Sequence, residues 1–299
     1  MTPGAGVTPA WLDRAEYPFT SRFIEIEGAR MHYVDEGQGP PLLLVHGTPT
    51  WSFLYRHLVK GLRDRFRCVA PDHLGFGLSD KPAGDAYRPA DQARRLATFV
   101  AALGLEDLTL AVHDFGGPIG LAWALDRPAS VRRLVIFNTW MWSLAGDRTV
   151  ARASRLLSSA VGRVLYERLG FSLNVLFRRA VKDRTRYTRA VHAQYAAPLR
   201  DPAARHATWI YARELLGSSD WFAGLWQRRE RLETIPALLA WGTKDPAFGR
   251  HLPRWRSVFR RAEVLAWDDV GHAPPEERGP ESAAAIARFH DQPAAVVAR

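Results

Sequence analysis

The chain has 299 residues, 47% of them hydrophobic and 24% charged, a balance that predicts a packed globular fold rather than disorder. The formal net charge is +10, but the arginines are spread along the whole sequence without a nucleic-acid motif, so we expect no nucleic-acid partner. The single Cys68 excludes an internal disulfide framework. Neither an apolar stretch of ~20 residues nor a signal-peptide pattern is present, so we expect a cytoplasmic protein with no membrane partner.

Strand and helix patterns alternate along the first half of the chain. The Pro- and Gly-rich start, up to about residue 20, is expected to lie on the surface. Short apolar runs then predict strands over residues 23–27, 31–35, 41–45, 68–71, 108–112 and 131–137. Helical spacing predicts helices over residues 52–62 and 88–103. This order implies an α/β fold whose mostly parallel central sheet carries helices on both faces.

The pattern changes over residues 138–233, where apolar residues recur at helical spacing and no strand of convincing length is seen. Strand patterning resumes at residues 237–241 and 263–267. We therefore predict a core domain of residues 1–137 and 234–299, interrupted by a helical cap domain of residues 138–233. The cap should cover the carboxyl ends of the parallel strands, where ligands bind in such folds.

The most informative stretch is V-H-D-F-G-G-P, in which Asp114 stands between a predicted strand and a predicted helix. This is the pattern of a nucleophile elbow, a sharp turn that exposes one side chain at the top of the sheet. The familiar elbow carries serine, whereas here the central residue is an aspartate. A carboxylate nucleophile leads to a covalent ester on the enzyme.

Hydrolysis of such an ester needs a base and an acid that orients it. His272 in V-G-H-A-P follows the last predicted strand, and Asp245 in W-G-T-K-D follows the strand before it. Both should therefore lie at the same edge of the sheet as Asp114. The chain order nucleophile, acid, base is the order of an α/β-hydrolase. His46 and His113 flank the site and are interpreted as structural.

Two backbone donors are predicted to form the oxyanion hole. One is the N–H of Phe115, the residue after the nucleophile. The second should come from Thr48 in H-G-T-P, in the loop after the strand over residues 41–45.

Five motifs together resemble the haloalkane dehalogenases of the α/β-hydrolase superfamily: H-G-T-P-T-W-S-F-L-Y-R, P-D-H-L-G-F-G-L-S-D-K-P, V-H-D-F-G-G, W-G-T-K-D and G-H. The resemblance covers the chain from about Phe23 to His290 and is weakest in the insertion. It implies that the aspartate displaces halide from carbon and that a histidine-activated water then cleaves the ester to release an alcohol. It also implies a small hydrophobic substrate, no metal and no organic cofactor, and we expect a monomer or homodimer.

Two positions depart from the family pattern. The family usually has tryptophan directly after the nucleophile, whose indole N–H holds the departing halide, and Phe115 has no such donor. Asparagine or glutamate usually stands at the position of Thr48, whose side chain can donate only through its hydroxyl. The candidate replacement donors in the leaving-group pocket are Trp140, Trp142 and Trp209.

Other functions remain open at this point. An epoxide hydrolase would use the same Asp–His–Asp set with tyrosines to protonate the opening oxygen, and the insertion offers Tyr166, Tyr187, Tyr195 and Tyr211. A non-catalytic binding protein on the same scaffold is disfavoured by the intact set. A serine esterase is excluded because no serine occupies the elbow, and a fluoroacetate dehalogenase is disfavoured because Phe115 stands where that enzyme has arginine.

Overall fold

The structure, a computed structural model, describes residues 4–5 and 9–292. In these residues one sheet has the strand order β1-β2-β3-β5-β4-β6-β7-β8-β9. The strands are β1 Gly4–Ala5, β2 Arg22–Ile26, β3 Ala29–Glu36, β4 Pro41–Val45, β5 Arg67–Pro71, β6 Leu108–Asp114, β7 Val131–Thr139, β8 Ala237–Gly242 and β9 Glu263–Trp267. Strands β4 to β9 are parallel to one another. The antiparallel pairs are β1 with β2, β2 with β3, and β3 with β5.

Helices fill the connections between the strands. The α-helices are α1 Arg56–Leu62, α2 Pro89–Ala102, α3 Gly116–Asp126, α4 Arg148–Leu157, α5 Ala160–Leu169, α6 Arg178–Ala180, α7 Arg189–Ala196, α8 His206–Gly217, α9 Ser219–Gln227, α10 Leu252–Val258, α11 Pro274–Glu277 and α12 Gly279–Asp291. A π-helical segment, Ser172–Phe177, leads directly into α6. No helix in the described part of the chain is long and apolar enough to cross a membrane.

The side chains of the central strands feed two separate hydrophobic cores. In β4, Leu43 and Val45 join the core beneath α2 and α3, whereas Leu42 and Leu44 join the core beneath α1 and α12. This alternation follows from the two-residue repeat of a strand and from burial on both faces, which parallel sheets require. The predicted α/β architecture, a mostly parallel sheet with helices on both faces, is therefore confirmed.

The start of the chain differs from the expectation of a surface segment. Residues 1–3 and 6–8 lie outside the described residues. Further on, Tyr17 and Phe19 are fully buried, and the Tyr17 hydroxyl lies 2.6 Å from the Ser52 side-chain oxygen. The Tyr17 ring also lies 5.1 Å from the ring of Trp51. The expectation rested on the Pro and Gly content of the segment and gave no weight to Tyr17 and Phe19, whose buried rings hold the segment against the core.

The insertion lies between β7 and β8 and contains α4 to α9. Strand β7 runs to Thr139, two residues past the predicted limit, because it continues alongside the Asp114 turn. We use "insertion" below for residues 140–236. The division of the chain into a core domain and a cap domain stays a prediction.

Candidate active site

Asp114 lies at the carboxyl end of β6 with a left-handed backbone, φ 51°. A non-glycine residue in this conformation costs about 1–3 kcal/mol and persists only where its surroundings enforce it. Two glycines permit the turn. A Cβ on Gly116 would lie 2.1 Å from the carbonyl oxygen of Val45, and one on Gly47 would lie 2.2 Å from Asp114 Oδ1. The predicted elbow is therefore present, and its glycines are required by the close approach of β4.

The two carboxylate oxygens of Asp114 have different environments. Oδ1 accepts a hydrogen bond from the backbone N–H of Thr48 at 2.8 Å, and the backbone N–H of Phe115 also bonds to the carboxylate. Oδ2 lies 3.6 Å from Nε2 of His272. Oδ1 is thus held by the Thr48 backbone donor, while Oδ2 faces the histidine. The structure places Thr48 and Phe115 where the sequence predicted oxyanion donors.

Burial and charge set the protonation states of this pair. Burial raises the pKa of Asp114 to about 6, although the charge of His272 and the two backbone N–H groups oppose the rise. For His272, burial lowers the pKa, but the charges of Asp245 and Asp114 outweigh it and raise the pKa to about 9. Near neutral pH the resting site therefore holds an Asp114 carboxylate beside a histidinium.

Asp245 orients the histidine from the other side. Its Oδ2 lies 2.9 Å from Nδ1 of His272, and its Oδ1 accepts the N–H of Ala247 at 2.8 Å. Asn138 donates to the same Oδ2 at 2.9 Å, and its amide also bonds the backbone of Gly242. Burial opposes the charge on Asp245, but His272 and these donors lower its pKa. The three residues that the sequence predicted as nucleophile, acid and base are thus brought together.

Sequence reasoning missed Asn138. It lies on the inward side of β7 and supports the acid through a contact 107 positions away in the chain. In the structure its amide is fully buried and must find hydrogen-bond partners, but the sequence shows only an asparagine directly after the strand predicted over residues 131–137, which does not identify those partners.

Glu277 was also missed. Its carboxylate accepts the backbone N–H groups of Gly271 and Ala273, on either side of His272, at 3.1 and 3.2 Å. It also accepts N–H groups from Lys182 and Asp183 at 2.7 and 2.9 Å, which ties the histidine loop to the insertion. The pattern P-P-E-E is typical of an exposed helix start. Only the folded structure shows that the Glu277 carboxylate holds the backbone on both sides of His272.

His113 and His46 occupy the positions interpreted as structural. His113 Nε2 lies 2.7 Å from the carbonyl oxygen of His272, which fixes the loop from below. His46 accepts the backbone N–H of His73 at 3.0 Å and lies with its other ring nitrogen 2.8 Å from the carbonyl oxygen of Gly47. Burial lowers the pKa of both histidines, so neither carries charge at neutral pH.

A cavity of about 420 Å³ lies above Asp114. Its floor includes Thr48, Asp114, Phe115 and His272, and the insertion supplies most of its walls. Those walls are largely aliphatic and aromatic, with side chains from Val150, Leu157, Leu176, Phe177, Leu215 and Phe248. Such a volume and lining suit a small hydrophobic molecule.

Two of the four tyrosines considered above face this cavity. Tyr166 and Tyr211 line it, and burial together with the Asp114 charge raises the pKa of each phenol. The buried Tyr211 hydroxyl has no hydrogen-bond partner among the described residues. Tyr187 and Tyr195 are engaged elsewhere, since their hydroxyls bond to the His192 ring and to the Glu276 carboxylate.

The candidate leaving-group tryptophans are not in the wall of the cavity. The indole N–H of Trp209 donates to the carbonyl oxygen of Leu157 at 3.1 Å, so it cannot hold a leaving group. Trp142 is buried away from the cavity. Trp140 lies behind Phe115, with ring centroids 4.7 Å apart, and its buried indole N–H lacks a partner within the described residues. The expectation that these tryptophans line the leaving-group pocket is thus corrected for all three, and Trp140 is the one that lies next to Phe115.

The elbow, the Asp–His–Asp set and the backbone donors are the arrangement of an α/β-hydrolase in which an aspartate occupies the elbow. A family model of the α/β hydrolase fold matches residues 40–278. Haloalkane dehalogenase 2 of Mycobacterium tuberculosis is 40% identical over 275 residues, covering 90% of this chain and 94% of that protein. The chain belongs to the haloalkane dehalogenase family of α/β-hydrolases, which confirms the resemblance and the class of enzyme.

Further similarities cover the same length. A cis-3-alkyl-4-alkyloxetan-2-one decarboxylase of Xanthomonas campestris pv. campestris is 35% identical, covering 91% of this chain and 96% of that protein. Among solved structures, the haloalkane dehalogenase DatA of Agrobacterium tumefaciens C58 has a TM-score of 0.79 and 26% identity, covering 90% of this chain and 96% of that one. The chain is thus similar over nine-tenths of its length to enzymes with two different names.

Proposed function

We propose that the protein hydrolyses the carbon–halogen bond of small hydrophobic haloalkanes through a covalent ester on Asp114, giving an alcohol and a halide. The observation that carries the proposal is the asymmetry of the Asp114 carboxylate. Oδ1 accepts the Thr48 N–H at 2.8 Å, while Oδ2 lies beside His272 at the floor of an apolar cavity. The similarity to haloalkane dehalogenase 2 supports it.

In the first step, Asp114 Oδ2 attacks the carbon that carries the halogen. The new carbon–oxygen bond forms as the carbon–halogen bond breaks, and the halide leaves with the bonding electrons. The carboxylate is ionised above its pKa of about 6, so the nucleophile is ready at neutral pH. The apolar walls exclude water, which leaves the carboxylate poorly solvated and more reactive.

After Asp114 is alkylated, the histidinium loses its proton to solvent, because the negative charge that held the proton has been neutralised. In the second step, the neutral His272 takes a proton from water, and the resulting hydroxide attacks the carboxyl carbon of the ester. The negative charge that develops on Oδ1 is stabilised by the N–H groups of Thr48 and Phe115. Collapse of this intermediate breaks the bond between the carboxyl carbon and the alkoxy oxygen. The alcohol leaves with a proton from His272, and the proton of the regenerated Asp114 carboxyl passes to His272, which restores the resting pair. The net products are alcohol, halide and the one proton that went to solvent.

The first step prepares the base for the second. In the resting site, the negative charge of Asp114 is one of the causes that raise the pKa of His272 to about 9. Alkylation converts that carboxylate to a neutral ester, and the pKa of His272 therefore falls toward neutrality. Asp245 remains to orient the ring and stabilise the histidinium that forms.

A second candidate is the opening of a strained oxygen ring. Tyr166 and Tyr211 line the cavity, and the free Tyr211 hydroxyl is a donor suited to an oxygen that acquires negative charge. An epoxide would give a diol by the same two steps. The relative named as an oxetan-2-one decarboxylase acts, by its name, on another strained ring, so this class also belongs in the test.

The test is an activity panel of 1-bromohexane, 1-chlorohexane, styrene oxide and a cis-3,4-dialkyl oxetan-2-one, with halide, diol and carbon dioxide measured. We expect halide release, faster from bromide than from chloride because bromide is the better leaving group. Tyr166→Phe with Tyr211→Phe should leave most bromide release intact. Tyr187→Phe is the matched control, since that buried hydroxyl bonds to His192 outside the cavity.

The opposite result is equally clear. If the wild type opens styrene oxide without releasing halide, and the Tyr166 and Tyr211 variants lose this while the Tyr187 control keeps it, the epoxide hydrolase reading replaces the dehalogenase. Release of carbon dioxide and an alkene from the oxetan-2-one, with no halide or diol from the other substrates, would assign the chain to the chemistry named for the decarboxylase relative.

A further inference from the structure

The large hydrophobic side chains that are exposed in the described structure are all found within one short stretch of the insertion. They are Leu156 (58% exposed), Val161 (61%), Val164 (55%), Leu169 (62%) and Leu176 (39%). They belong to α4, α5 and the π-helical segment that follows. Scattered single apolar residues need no explanation, but a set confined to one part of the fold marks a contact surface.

Helices α4 and α5 form this surface together. A Cβ on Gly162 of α5 would lie 2.1 Å from the carbonyl oxygen of Leu157, so the two helices meet closely there. Val161, Val164 and Arg168 repeat at the spacing that places them on one face of α5. Arg152 and Leu156 likewise share a face of α4. Apolar and cationic side chains are therefore interleaved on the same outer surface.

The charge of this stretch has one sign. Residues 147–182 contain eight basic side chains and two acidic ones. Asp147 caps α4 by accepting the N–H groups of Thr149 and Val150, and Glu167 pairs with Arg163 and His206. Both carboxylates are thus engaged by these partners and do not pair with the remaining arginines of the stretch. Within residues 147–182, the exposed arginines that form no ion pair with a described residue are Arg148, Arg152, Arg155, Arg168, Arg178 and Arg179.

The surface adjoins the entrance to the active-site cavity. Ala153 of α4 and Leu176 of the π-helical segment both line the cavity and are exposed to solvent. Leu156 is next to Leu157, which faces the cavity from inside. A molecule that enters from this side passes directly over the exposed apolar side chains.

We propose that the α4–α5 surface docks on an anionic lipid surface and places the entrance of the cavity against it. The exposed leucines and valines would enter the boundary between head groups and acyl chains, and the surrounding arginines would meet lipid phosphates. This is the arrangement of interfacial amphipathic helices, whose binding combines buried apolar area with attraction to anionic lipids. It needs no spanning helix, and it revises the expectation of no membrane partner.

The observations favour lipid over another protein surface. The exposed apolar side chains are all aliphatic, and the described residues of this surface include none of the exposed aromatic anchors, tryptophan and tyrosine, that carry much of the binding energy of protein interfaces. A second copy docking by the same face would bring the unpaired arginines of both copies together, which like-charge repulsion opposes. An anionic lipid surface complements both the charge and the apolar residues. It would also concentrate a hydrophobic substrate at the cavity entrance.

The experiment is flotation of the purified full chain with vesicles, without substrate, so that its outcome does not depend on the proposed reaction. One set of vesicles is pure phosphatidylcholine, and the other contains phosphatidylglycerol. We expect binding to the anionic vesicles that weakens as salt is raised, and little binding to phosphatidylcholine alone. Failure of the wild type to bind anionic vesicles would overturn the proposal.

Two triple variants locate the surface. Arg152→Gln with Arg155→Gln and Arg168→Gln should lower binding at least tenfold, since each arginine near an anionic surface contributes about fivefold. The matched control removes the same charge elsewhere, with Arg256→Gln, Arg260→Gln and Arg288→Gln, which are exposed and outside the insertion. It should change binding less than twofold. Equal loss in both would show attraction by net charge alone and overturn the assignment.

The apolar contribution is tested with Leu156→Ser, Val161→Ser and Leu169→Ser, which should also lower binding at least tenfold. These side chains are more than half exposed, so the thermal midpoint should stay near that of the wild type. Sedimentation velocity supplies the other check. A concentration-dependent dimer of the wild type that this variant abolishes would assign the surface to a second copy, against the proposal.

Discussion

The aspartates at the carboxyl edge of the sheet have hydrogen-bond or charge partners, whereas a buried hydroxyl in the insertion above it has none in the described part of the chain. At the edge, every oxygen of the two aspartates has a neighbour. Asp114 Oδ1 accepts the Thr48 N–H and Oδ2 lies beside His272. Asp245 Oδ2 lies beside His272 and Oδ1 accepts the Ala247 N–H. Across the cavity, the Tyr211 hydroxyl is buried without a partner among the described residues. The edge is organised before substrate arrives, whereas the insertion keeps a donor free. For the proposed reaction, we infer that the sheet edge would form and cleave the ester and that the insertion would determine which leaving group is accepted.

Removing the nucleophile is the sharpest test of the edge. Asp114→Asn should reduce turnover about 10⁴- to 10⁶-fold, the range for loss of a covalent nucleophile. The amide cannot displace a leaving group, yet it fits the turn, so the circular dichroism spectrum should match the wild type. Halide release is measured on fresh protein, because slow deamidation restores the aspartate. Full activity in fresh protein would remove Asp114 from the mechanism.

The second test separates the two steps. His272→Phe leaves the Asp114 carboxylate in place but removes the base, so about one halide per enzyme should be released before turnover stops. Loss of a general base costs about 10²- to 10⁴-fold in rate. Intact-mass spectrometry should show the alkyl group on the protein. Sustained turnover with no adduct would mean that another group activates the water.

The pH dependence of the first step follows from the raised pKa of Asp114. Below its pKa of about 6 the carboxyl is protonated and cannot attack, so single-turnover halide release should fall about tenfold per pH unit. The charge of His272 lowers the pKa of Asp114. His272→Phe removes that charge, so the pKa should rise and the fall should begin at higher pH than in the wild type. Identical profiles for the two proteins would contradict the coupling.

The sheet edge was largely predictable from the sequence, because turns between buried strands and helices have strong local signals. Asp114, Asp245 and His272 each follow an apolar run, and parallel strands bring their carboxyl ends to one edge. Asn138 and Glu277 were not predictable, since each supports the site through contacts about a hundred residues away in the chain or across the loop.

The insertion was predicted to be helical, but its inner surface was not predictable. Helical spacing gives the apolar faces, yet four tyrosines and three tryptophans satisfied the pattern equally well. Which of them faces the cavity depends on how the helices cross. For example, the Trp209 indole N–H donates to the Leu157 carbonyl, and the Tyr195 hydroxyl donates to the Glu276 carboxylate, so neither group is available to a ligand.

The smallest expected effect is also the most informative about the leaving group. Phe115 is 3% exposed, and its ring lies 4.7 Å from Trp140 and 4.4 Å from Tyr211. Phe115→Trp would add an indole N–H near the departing halide, where a hydrogen bond to a charged group contributes about 1.5–3 kcal/mol. The larger ring must fit a filled space, and overpacking costs about 1–3 kcal/mol of folding free energy.

We therefore expect Phe115→Trp to raise the turnover of 1-chlorohexane by about tenfold, the lower end of what one such hydrogen bond supplies. The turnover of 1-bromohexane should rise by a smaller factor. The thermal midpoint should fall, and Phe115→Leu, which adds no donor, should give no gain. Brisk chloride release by the wild type with no gain in Phe115→Trp would mean that another donor already holds the halide. Thr48 and Tyr211 line the cavity, and their buried hydroxyls have no partners among the described residues, so these would be the groups to remove next.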